Sequence, residues 1–250
     1  MGDYVQSVIK VGKILELFDK DRDELGIVEI RDHLGYPVST IHRLISTLEH
    51  MGYIYQNEKN NKYSLGFKAY VLGSKVKIIN HLKEVSKPYL DELSNKYGET
   101  VHLAINMNNK VLCVQKTSTN RTLTVTPGEG GTHYIHATSV GKSLLAFSDK
   151  EKTEKFIEGT DFVKLTQKTI TDKEELKEEL EKIRKNKVAV DMEESEIGLI
   201  CIGAPILSRS GKAIAAISLS IPDSRLTHNI EELKKNVQIT ANKIAHKLYS

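Results

Sequence analysis

Cysteine is scarce in this chain of 250 residues, and other features that would assign it to a class are missing. The two cysteines, Cys113 and Cys201, are too few for a disulfide framework and lack zinc-finger spacing. No apolar run is long enough to span a bilayer, the first residues lack a signal-peptide pattern, and no internal repeat occurs. We therefore expect a cytoplasmic protein with reduced thiols and no membrane partner.

Signatures of catalysis are also missing. Gly141-Lys142-Ser143 resembles the end of a phosphate-binding P-loop, but His136 occupies the place of the required earlier glycine. Ser139 and Lys142 match S-x-x-K without its companion motifs, and G-x-S-x-G does not occur. Six side chains could assemble a metal site in space, although their spacing matches no zinc signature: His102, His133, His136, Asp191, Glu193 and Cys201. We predict no catalytic residues, no metal and no cofactor.

What the chain does contain is a pattern in residues 27–52 that is typical of a helix-turn-helix. One apolar stripe at helical spacing runs through residues 27–34, and a second runs through residues 41–51. Gly35 can end the first helix at little steric cost, and Pro37 prevents it from continuing. This arrangement places the second helix in the major groove of DNA.

The second helix has a polar face that suits nucleic acid. Ser39 or Thr40 can cap its start. Hydroxyl, imidazole and guanidinium groups near a helix N-terminus suit phosphate oxygens and base edges. We predict DNA contacts from Pro37, Ser39, Thr40, His42, Arg43 and Ser46. An ordinary helical hairpin with a polar outer face is the alternative for this segment alone.

Residues 53–65 favour a β-hairpin, which would make the unit a winged helix-turn-helix. Lys59 and Lys62 would lie at the tip of the wing, where they can reach a phosphate or the minor groove. Basic and acidic residues are also distributed unevenly along this unit, in agreement with a DNA-facing second half. Residues 33–75 carry five basic and two acidic side chains, a balance of +3 (5 − 2), whereas residues 3–32 carry five basic and eight acidic ones. The basic half is the one that would face DNA.

The rest of the chain alternates strand and helix patterns. Asn108-Asn109 indicates a hairpin, and Pro88 either breaks or kinks a helix or opens a new one. Hairpins with flanking helices favour an antiparallel sheet covered by helices, so we predict an α+β fold. The predicted strands are Thr100–Met107, Lys110–Thr117, Thr122–Thr126, Val188–Asp191, Leu199–Leu207 and Lys212–Ile221, and the predicted helices are Ser139–Ser148, Thr171–Asn186 and Thr227–Tyr249.

These blocks resemble the IclR-type transcriptional regulators over almost the whole chain. LGYPVSTIHRLISTLEHMGYI is similar to their helix-turn-helix and KYSLG to the end of their wing, while HATSVGKSLLA, VDMEESEIGLICIGAPI and AAISLSIPDSRL resemble blocks of their effector-binding domain. The resemblance implies a winged helix-turn-helix over residues 1–66 (helix-turn-helix about 27–50, wing 53–65), a linker helix over 67–80 and a GAF/profilin-like domain over 81–250. It also implies homodimers or dimers of dimers on double-stranded operator DNA.

The resemblance further implies a pocket for a small carboxylic acid, such as a 2-oxo acid or a sugar acid. Ser218 and Ser220 are two apart on a strand, so their hydroxyls share a face, and the start of a helix at Ser139 favours an anion. Without the resemblance, the simpler interpretation is that these serines hydrogen-bond to nearby backbone groups and that Cys201 is a small buried apolar residue. We assign effector binding to Ser139, Val140, Gly141, Asp191, Cys201, Ser218 and Ser220. Val140 is bulkier than the residue in some relatives, which predicts a smaller or differently shaped pocket.

The resulting hypothesis is a ligand-responsive DNA-binding regulator, with repression of a catabolic operon as the favoured role. A ligand-dependent activator of aromatic- or organic-acid catabolism is the nearest alternative. An enzyme acting on a small acid is a second alternative, since catalytic groups can be assembled in space. An architectural DNA binder without a ligand is a third. Tyr36 and Val38 differ from the residues that are common in the turn of the family.

Overall fold

A computed structural model describes residues 4–19, 22–118 and 127–250. The chain divides into two compact units, Met1–Asn80 and His81–Ser250. None of the helices within the described residues is both long and apolar enough to cross a membrane. The strand predicted for Thr122–Thr126 lies outside the described residues.

The N-terminal unit is a winged helix-turn-helix. Its elements are α1 (Gln6–Leu15), α2 (Ile27–Leu34), α3 (Val38–His50), β1 (Ile54–Gln56), β2 (Tyr63–Leu65) and α4 (Phe67–Gly73). The strands β1 and β2 form an antiparallel pair with Ile54 opposite Leu65. Ile14, Ile30, Ile41 and Ile45 are almost completely buried, so α1, α2 and α3 share one core.

The turn between α2 and α3 follows the predicted chemistry, except for the cap. Gly35 has φ = 68°, a left-handed conformation that glycine adopts without steric penalty, and its N–H donates to the carbonyl of Arg31. The predicted cap at Ser39 or Thr40 is wrong. Pro37 precedes the first helical residue, and its carbonyl accepts from the N–H of Thr40 at 2.9 Å. Proline fixes φ near the −56° observed here, and the helix begins two residues earlier than a cap at Ser39 would place it.

The predicted single linker helix over residues 67–80 is not observed. Helix α4 ends at Gly73, and α5 (Lys77–Tyr97) begins after a short break and continues into the second unit. Pro88 lies inside α5 and neither ends it nor opens a new helix. Leu82, Leu90 and Leu93 bury one face of α5 on both sides of the proline, so packing keeps the helix continuous.

The C-terminal unit is a six-stranded antiparallel sheet with helices packed on it. Its strands are β3 (Thr100–Met107), β4 (Lys110–Thr117), β5 (Thr132–Tyr134), β6 (Ala189–Met192), β7 (Leu199–Leu207) and β8 (Ala213–Pro222), in the spatial order β5-β4-β3-β8-β7-β6. Its helices are α6 (Ser139–Ala146), α7 (Lys150–Glu158), α8 (Lys173–Asn186) and α9 (Ile230–Tyr249). The predicted α+β class is confirmed.

Strand boundaries were well predicted where a turn marks them. Asn108 and Asn109 both have positive φ, 53° and 63°, and join β3 to β4. Asparagine tolerates this region better than most residues, which is why the pair was a usable signal. Strand β5 and helix α7 were not predicted. Strand β5 is too short for a periodic pattern, and α7 is mostly charged with little apolar periodicity.

Candidate DNA-contacting surface and effector pocket

Helix α3 buries one face and exposes the other. Ile41, Ile45 and Leu48 are buried in the core of the N-terminal unit. Most of the predicted contact residues lie on the opposite side in solvent, namely Pro37, Ser39, His42, Arg43 and Ser46, and Thr40 is partly buried. The exposed side carries hydroxyl, imidazole and guanidinium groups, which can reach phosphates and base edges.

A groove beside α3 adds two residues that the sequence reasoning missed. Ser7 and Lys10 of α1 line it together with Thr40, His42 and Arg43 of α3. The ammonium of Lys10 lies 5.1 Å from the ring centre of Tyr36, within cation–π range. Little in the sequence pointed to Lys10, because it lies one helical turn before the buried Ile14 and is itself partly buried. Lys10 and Arg43 therefore place two positive charges on one groove.

The wing is tied to the region around α2. Lys62 forms an ion pair with Glu29, with 2.9 Å between Nζ and Oε1. The side-chain amides of Asn57 and Asn60 both donate to the carboxylate of Glu24, at 2.8 and 2.7 Å. Lys59 is exposed. The two lysines predicted at the wing tip thus differ, because a phosphate would have to compete with Glu29 for Lys62.

A cavity of about 40 Å³ lies beside α6 in the C-terminal unit. Six of the seven residues predicted to bind an effector line it: Ser139, Val140, Asp191, Cys201, Ser218 and Ser220. Gly141 does not line it. A Cβ at this position would lie 2.1 Å from the carbonyl oxygen of Ile135, so Gly141 permits close packing away from the cavity. Sequence reasoning did not assign effector binding to the other lining residues, which include His102, Cys113, His133, Thr138, Ser195 and Glu196.

The start of α6 is arranged to receive an anion. Thr138 caps the helix, and its hydroxyl oxygen accepts from the N–H of Gly141 at 3.1 Å. The preceding N–H groups, of Ser139 and Val140, have no acceptor within the helix. Gly203 of β7 lets the start of α6 pack closely against the sheet, because a Cβ at this position would lie 2.7 Å from the carbonyl carbon of Ser139. The hydroxyl oxygen of Ser139 is buried and makes no hydrogen bond within the described parts of the chain.

Asp191 uses its carboxylate within the loop that follows β6. One oxygen accepts from the N–H groups of Glu194 at 2.6 Å and Ser195 at 3.3 Å, and the other accepts from the Ser195 hydroxyl at 2.6 Å. Burial raises the pKa of Asp191, and these hydrogen bonds oppose that shift. Asp191 therefore shapes the wall of the cavity and presents Ser195 to it.

A buried ion pair lies behind the same wall. Lys142 is fully buried, and its ammonium donates to Glu194 at 2.5 Å and to the carbonyl of Val190 at 2.8 Å. Burial raises the pKa of Glu194 to about 7, although the charge of Lys142 acts in the opposite direction. Lys142 thereby links α6 to β6, which contains Asp191, and to the following loop, which contains Ser195. The sequence reasoning considered Lys142 only within catalytic motifs.

His102, Ser220 and Cys201 form a chain of contacts on the cavity floor. Sγ of Cys201 lies 3.2 Å from the hydroxyl oxygen of Ser220, which lies 3.4 Å from Nδ1 of His102. Burial, followed by the charge of Lys116, lowers the pKa of His102 to about 4, so its ring is neutral near pH 7. Burial raises the pKa of the Cys201 thiol, which therefore keeps its proton.

The cavity is lined by several hydroxyl-bearing residues and by the first residues of α6, and no lysine or arginine is found among the described residues that line it. Within residues 4–19, 22–118 and 127–250, no three His, Cys, Asp or Glu side chains are grouped so as to hold a metal ion.

Two protein-family models match this chain. The model described as IclR helix-turn-helix domain matches residues 7–58, and the model described as bacterial transcriptional regulator IclR C-terminal matches residues 76–246. The chain belongs to the IclR family. It is accordingly a DNA-binding transcriptional regulator with a C-terminal effector-binding domain, and it is not an enzyme. The family resemblance seen in the sequence is confirmed.

Individual relatives agree with this placement. The chain is 31% identical to the HTH-type transcriptional regulator KdgR of Escherichia coli K12, over 97% of this chain and 92% of that protein. It is 29% identical to the transcriptional repressor IclR of the same organism, over 89% and 82%. The solved structure of an IclR homolog from Microbacterium hydrocarbonoxydans, complexed with 4-hydroxybenzoate, has a TM-score of 0.86 at 23% identity and covers 97% of this chain and 99% of that one. This last similarity concerns the fold.

Proposed function

We propose that this IclR-family regulator represses a catabolic operon and is released from its operator by a small organic acid. The observation that carries the proposal is the cavity at the start of α6, which Ser139 and Val140 line together with Ser218 and Ser220. These groups favour a carboxylate. Repression is favoured because a relative that matches most of the chain is named a transcriptional repressor.

The size of the cavity supports a small effector. A volume of about 40 Å³ is room for about three water molecules. A 2-oxo acid of few atoms needs less additional room than a sugar acid, or than an aromatic acid such as the one bound by the Microbacterium homolog. Val140 lines the cavity and limits its size.

DNA contacts are assigned to the exposed side of α3 and to the wing. Arg43 is exposed in the middle of that side and can read a guanine through its paired N–H donors, and Lys59 can reach a phosphate. The proposed contact set is Pro37, Ser39, Thr40, His42, Arg43, Ser46, Lys59 and Lys62. Lys62 can contact DNA only if its ammonium leaves the ion pair with Glu29 and binds a phosphate instead.

A second copy of the chain is the proposed partner of the N-terminal unit. Large apolar side chains of α4 and of the residues at and before α1 are in solvent: Phe67 is 89% exposed, Tyr70 77%, Tyr4 72% and Val8 66%. Exposed apolar groups in this number favour an interface. A dimer, or a dimer of dimers, would place two recognition helices about one turn of DNA apart. The effector would act through different affinities for DNA-competent and DNA-incompetent arrangements.

The test is a titration of the promoter DNA next to the protein's own gene, at fixed salt, with a panel of small carboxylic acids. Tight, sequence-specific binding that one acid releases supports both parts of the proposal. Specific binding that no acid changes would contradict the effector class. Binding that requires the acid would replace repression with activation.

Two variants separate the two sites. Arg43→Ala should weaken specific binding by about 1–3 kcal/mol if Arg43 reads a guanine. The double variant Ser218→Ala, Ser220→Ala should bind DNA normally and lose the response to the acid. Unchanged operator affinity in the first, or a normal acid response in the second, would contradict the corresponding assignment.

A further inference from the structure

His102 is the most unusual polar group on the effector cavity. It lies on β3, directly opposite Ser218 of β8, so its side chain shares the face of the sheet that carries Ser218 and Ser220. It is 6% exposed, and its Nε2 makes no hydrogen bond of normal geometry within the described residues, although the backbone of Pro127 approaches the ring and acts to raise its pKa. A buried polar atom without a partner is uncommon in native proteins and invites an explanation.

The contacts of the other ring nitrogen determine where the proton of the neutral ring lies. The Cys201 thiol donates to the hydroxyl oxygen of Ser220 at 3.2 Å. The Ser220 hydroxyl oxygen lies 3.4 Å from Nδ1 of His102, and its proton can point to that nitrogen. In this arrangement Nδ1 accepts, and the ring carries its proton on Nε2, where it can act as a hydrogen-bond donor.

We propose that His102 is an effector-binding residue that donates its Nε2–H to an oxygen of a small monocarboxylate. The proposal rests on the acid-binding function proposed above and specifies the effector class. The unpartnered hydroxyl of Ser139 lines the same cavity and supplies a second donor. Both donors are neutral, so they stabilise a single negative charge through hydrogen bonds and the start of α6.

Negative groups on the cavity restrict the acid to one carboxylate. Asp191 and Glu196 both line it, and no lysine or arginine does so among the described residues. A second carboxylate would lie near these two acids, and none of the described residues that line the cavity supplies a cation for it; burying an unpaired charge is strongly unfavourable. His102 does not supply the missing charge, since its ring is neutral near pH 7.

The first experiment compares acid binding by calorimetry in three variants. Glutamine at position 102 keeps an N–H donor near the place of Nε2, whereas asparagine is too short to reach it. We expect pyruvate to bind the wild-type protein and His102→Gln with similar Kd, and His102→Asn about tenfold more weakly or worse. His246→Gln, an exposed histidine of the same unit, should have no effect. Oxaloacetate, which adds a second carboxylate to pyruvate, should bind about tenfold more weakly or worse than pyruvate.

The outcomes distinguish this inference from the proposed function. Equal pyruvate affinity in the wild-type protein and His102→Asn would overturn the role of His102 and leave the acid-binding function in place. Oxaloacetate binding as tightly as pyruvate would overturn the restriction to monocarboxylates. Failure of both acids to bind the wild-type protein would count against the acid class itself and against His102 with it.

A second measurement needs no variant and covers the case in which His102→Asn fails to fold. Nitrogen-15 NMR of labelled histidine in the wild-type protein should show His102 as the neutral tautomer with its proton on Nε2 at pH 7. Pyruvate should shift the Nε2–H signal. A proton on Nδ1, a charged ring, or an Nε2–H signal that bound pyruvate does not move would overturn the proposal.

Discussion

The two candidate binding regions of this regulator differ in how deeply their side chains are buried. The candidate DNA contacts come mainly from one helix, α3, and are exposed to solvent, whereas the candidate effector cavity is lined by residues of all six strands β3–β8, of α6 and of the loop after β6. An exposed side chain needs only a suitable polar group at the right place on a helix. A buried one, such as Ser139 or Asp191, must also be reconciled with every neighbouring donor and acceptor.

Ion pairs show the same difference. Lys62 and Glu29 retain 39% and 45% of their side-chain exposure, and water screens their attraction. The side chains of Lys142 and Glu194 retain 1% and 9%, and the buried ammonium contacts Glu194, the carbonyl of Val190 and, at 3.8 Å, Glu179. We expect the first pair to be exchangeable for a phosphate and the second to be essential to the shape of the cavity.

The largest expected effect tests this contrast directly. Lys142→Met should lower the free energy of unfolding by about 3–5 kcal/mol, because it leaves Glu194 buried without its partner. Adding Glu194→Leu should recover most of the loss, and Lys62→Met should change stability by less than about 1 kcal/mol. Urea unfolding followed by circular dichroism measures all three. A double variant as unstable as the single one would contradict the explanation.

The pH dependence of stability should reveal the buried histidine. The pKa of His102 falls from 6.5 to about 4 on folding, so the folded state excludes a proton that the unfolded state binds. Its contribution of about 3 kcal/mol is therefore present above pH 6.5 and is lost as the pH falls toward 4. Glu194 acts with the opposite sign, since its raised pKa stabilises the folded state at low pH and this contribution is lost as the pH rises to about 7. The free energy of unfolding is measured against pH for the wild-type protein and for His102→Gln, and the difference between the two curves gives the contribution of the histidine. A difference that stays constant as the pH falls from 6.5 to 4 would contradict this contribution.

Glycine substitutions compare the two units at the level of packing. Gly203→Ala should destabilise the C-terminal unit by about 1–3 kcal/mol and abolish the acid response, because the new Cβ displaces the backbone of Ser139. Operator affinity should persist. The matched change Gly12→Ala in α1 meets open space and should stabilise by up to about 1 kcal/mol. A normal acid response in Gly203→Ala would show that the position of α6 is not critical.

The smallest effect concerns the wing. Glu29→Gln keeps an oxygen to accept from the N–H of Gly26, which Glu29 does at 2.6 Å, but removes the charge that holds Lys62. Lys62 should then engage a phosphate more readily, and the salt dependence of nonspecific DNA binding should steepen by about one unit. Filter binding across a salt series measures the slope. An unchanged slope would remove Lys62 from the DNA-contacting set.

Much of the fold was predictable because it depends on short-range patterns. The periodicity of α3, the Gly35 turn and the Asn108-Asn109 hairpin are local, and the structure has each of them. The continuity of α5 through Pro88 was not predictable, because packing on both sides of the proline overrides a local preference. Six of the residues assigned to effector binding through family resemblance line the cavity, and the seventh, Gly141, packs closely against Ile135 outside the lining.

The sequence by itself determined the class of the protein, its two-part organisation and the residues of its recognition helix, because these follow from local periodicity and from blocks of family resemblance. Only the tertiary structure decided which groups complete the effector cavity. His102 and Ser220 are 118 positions apart, and Lys142 and Glu194 are 52 apart. Their roles depend on burial and on hydrogen-bond partners, which arise only when distant strands and helices pack together.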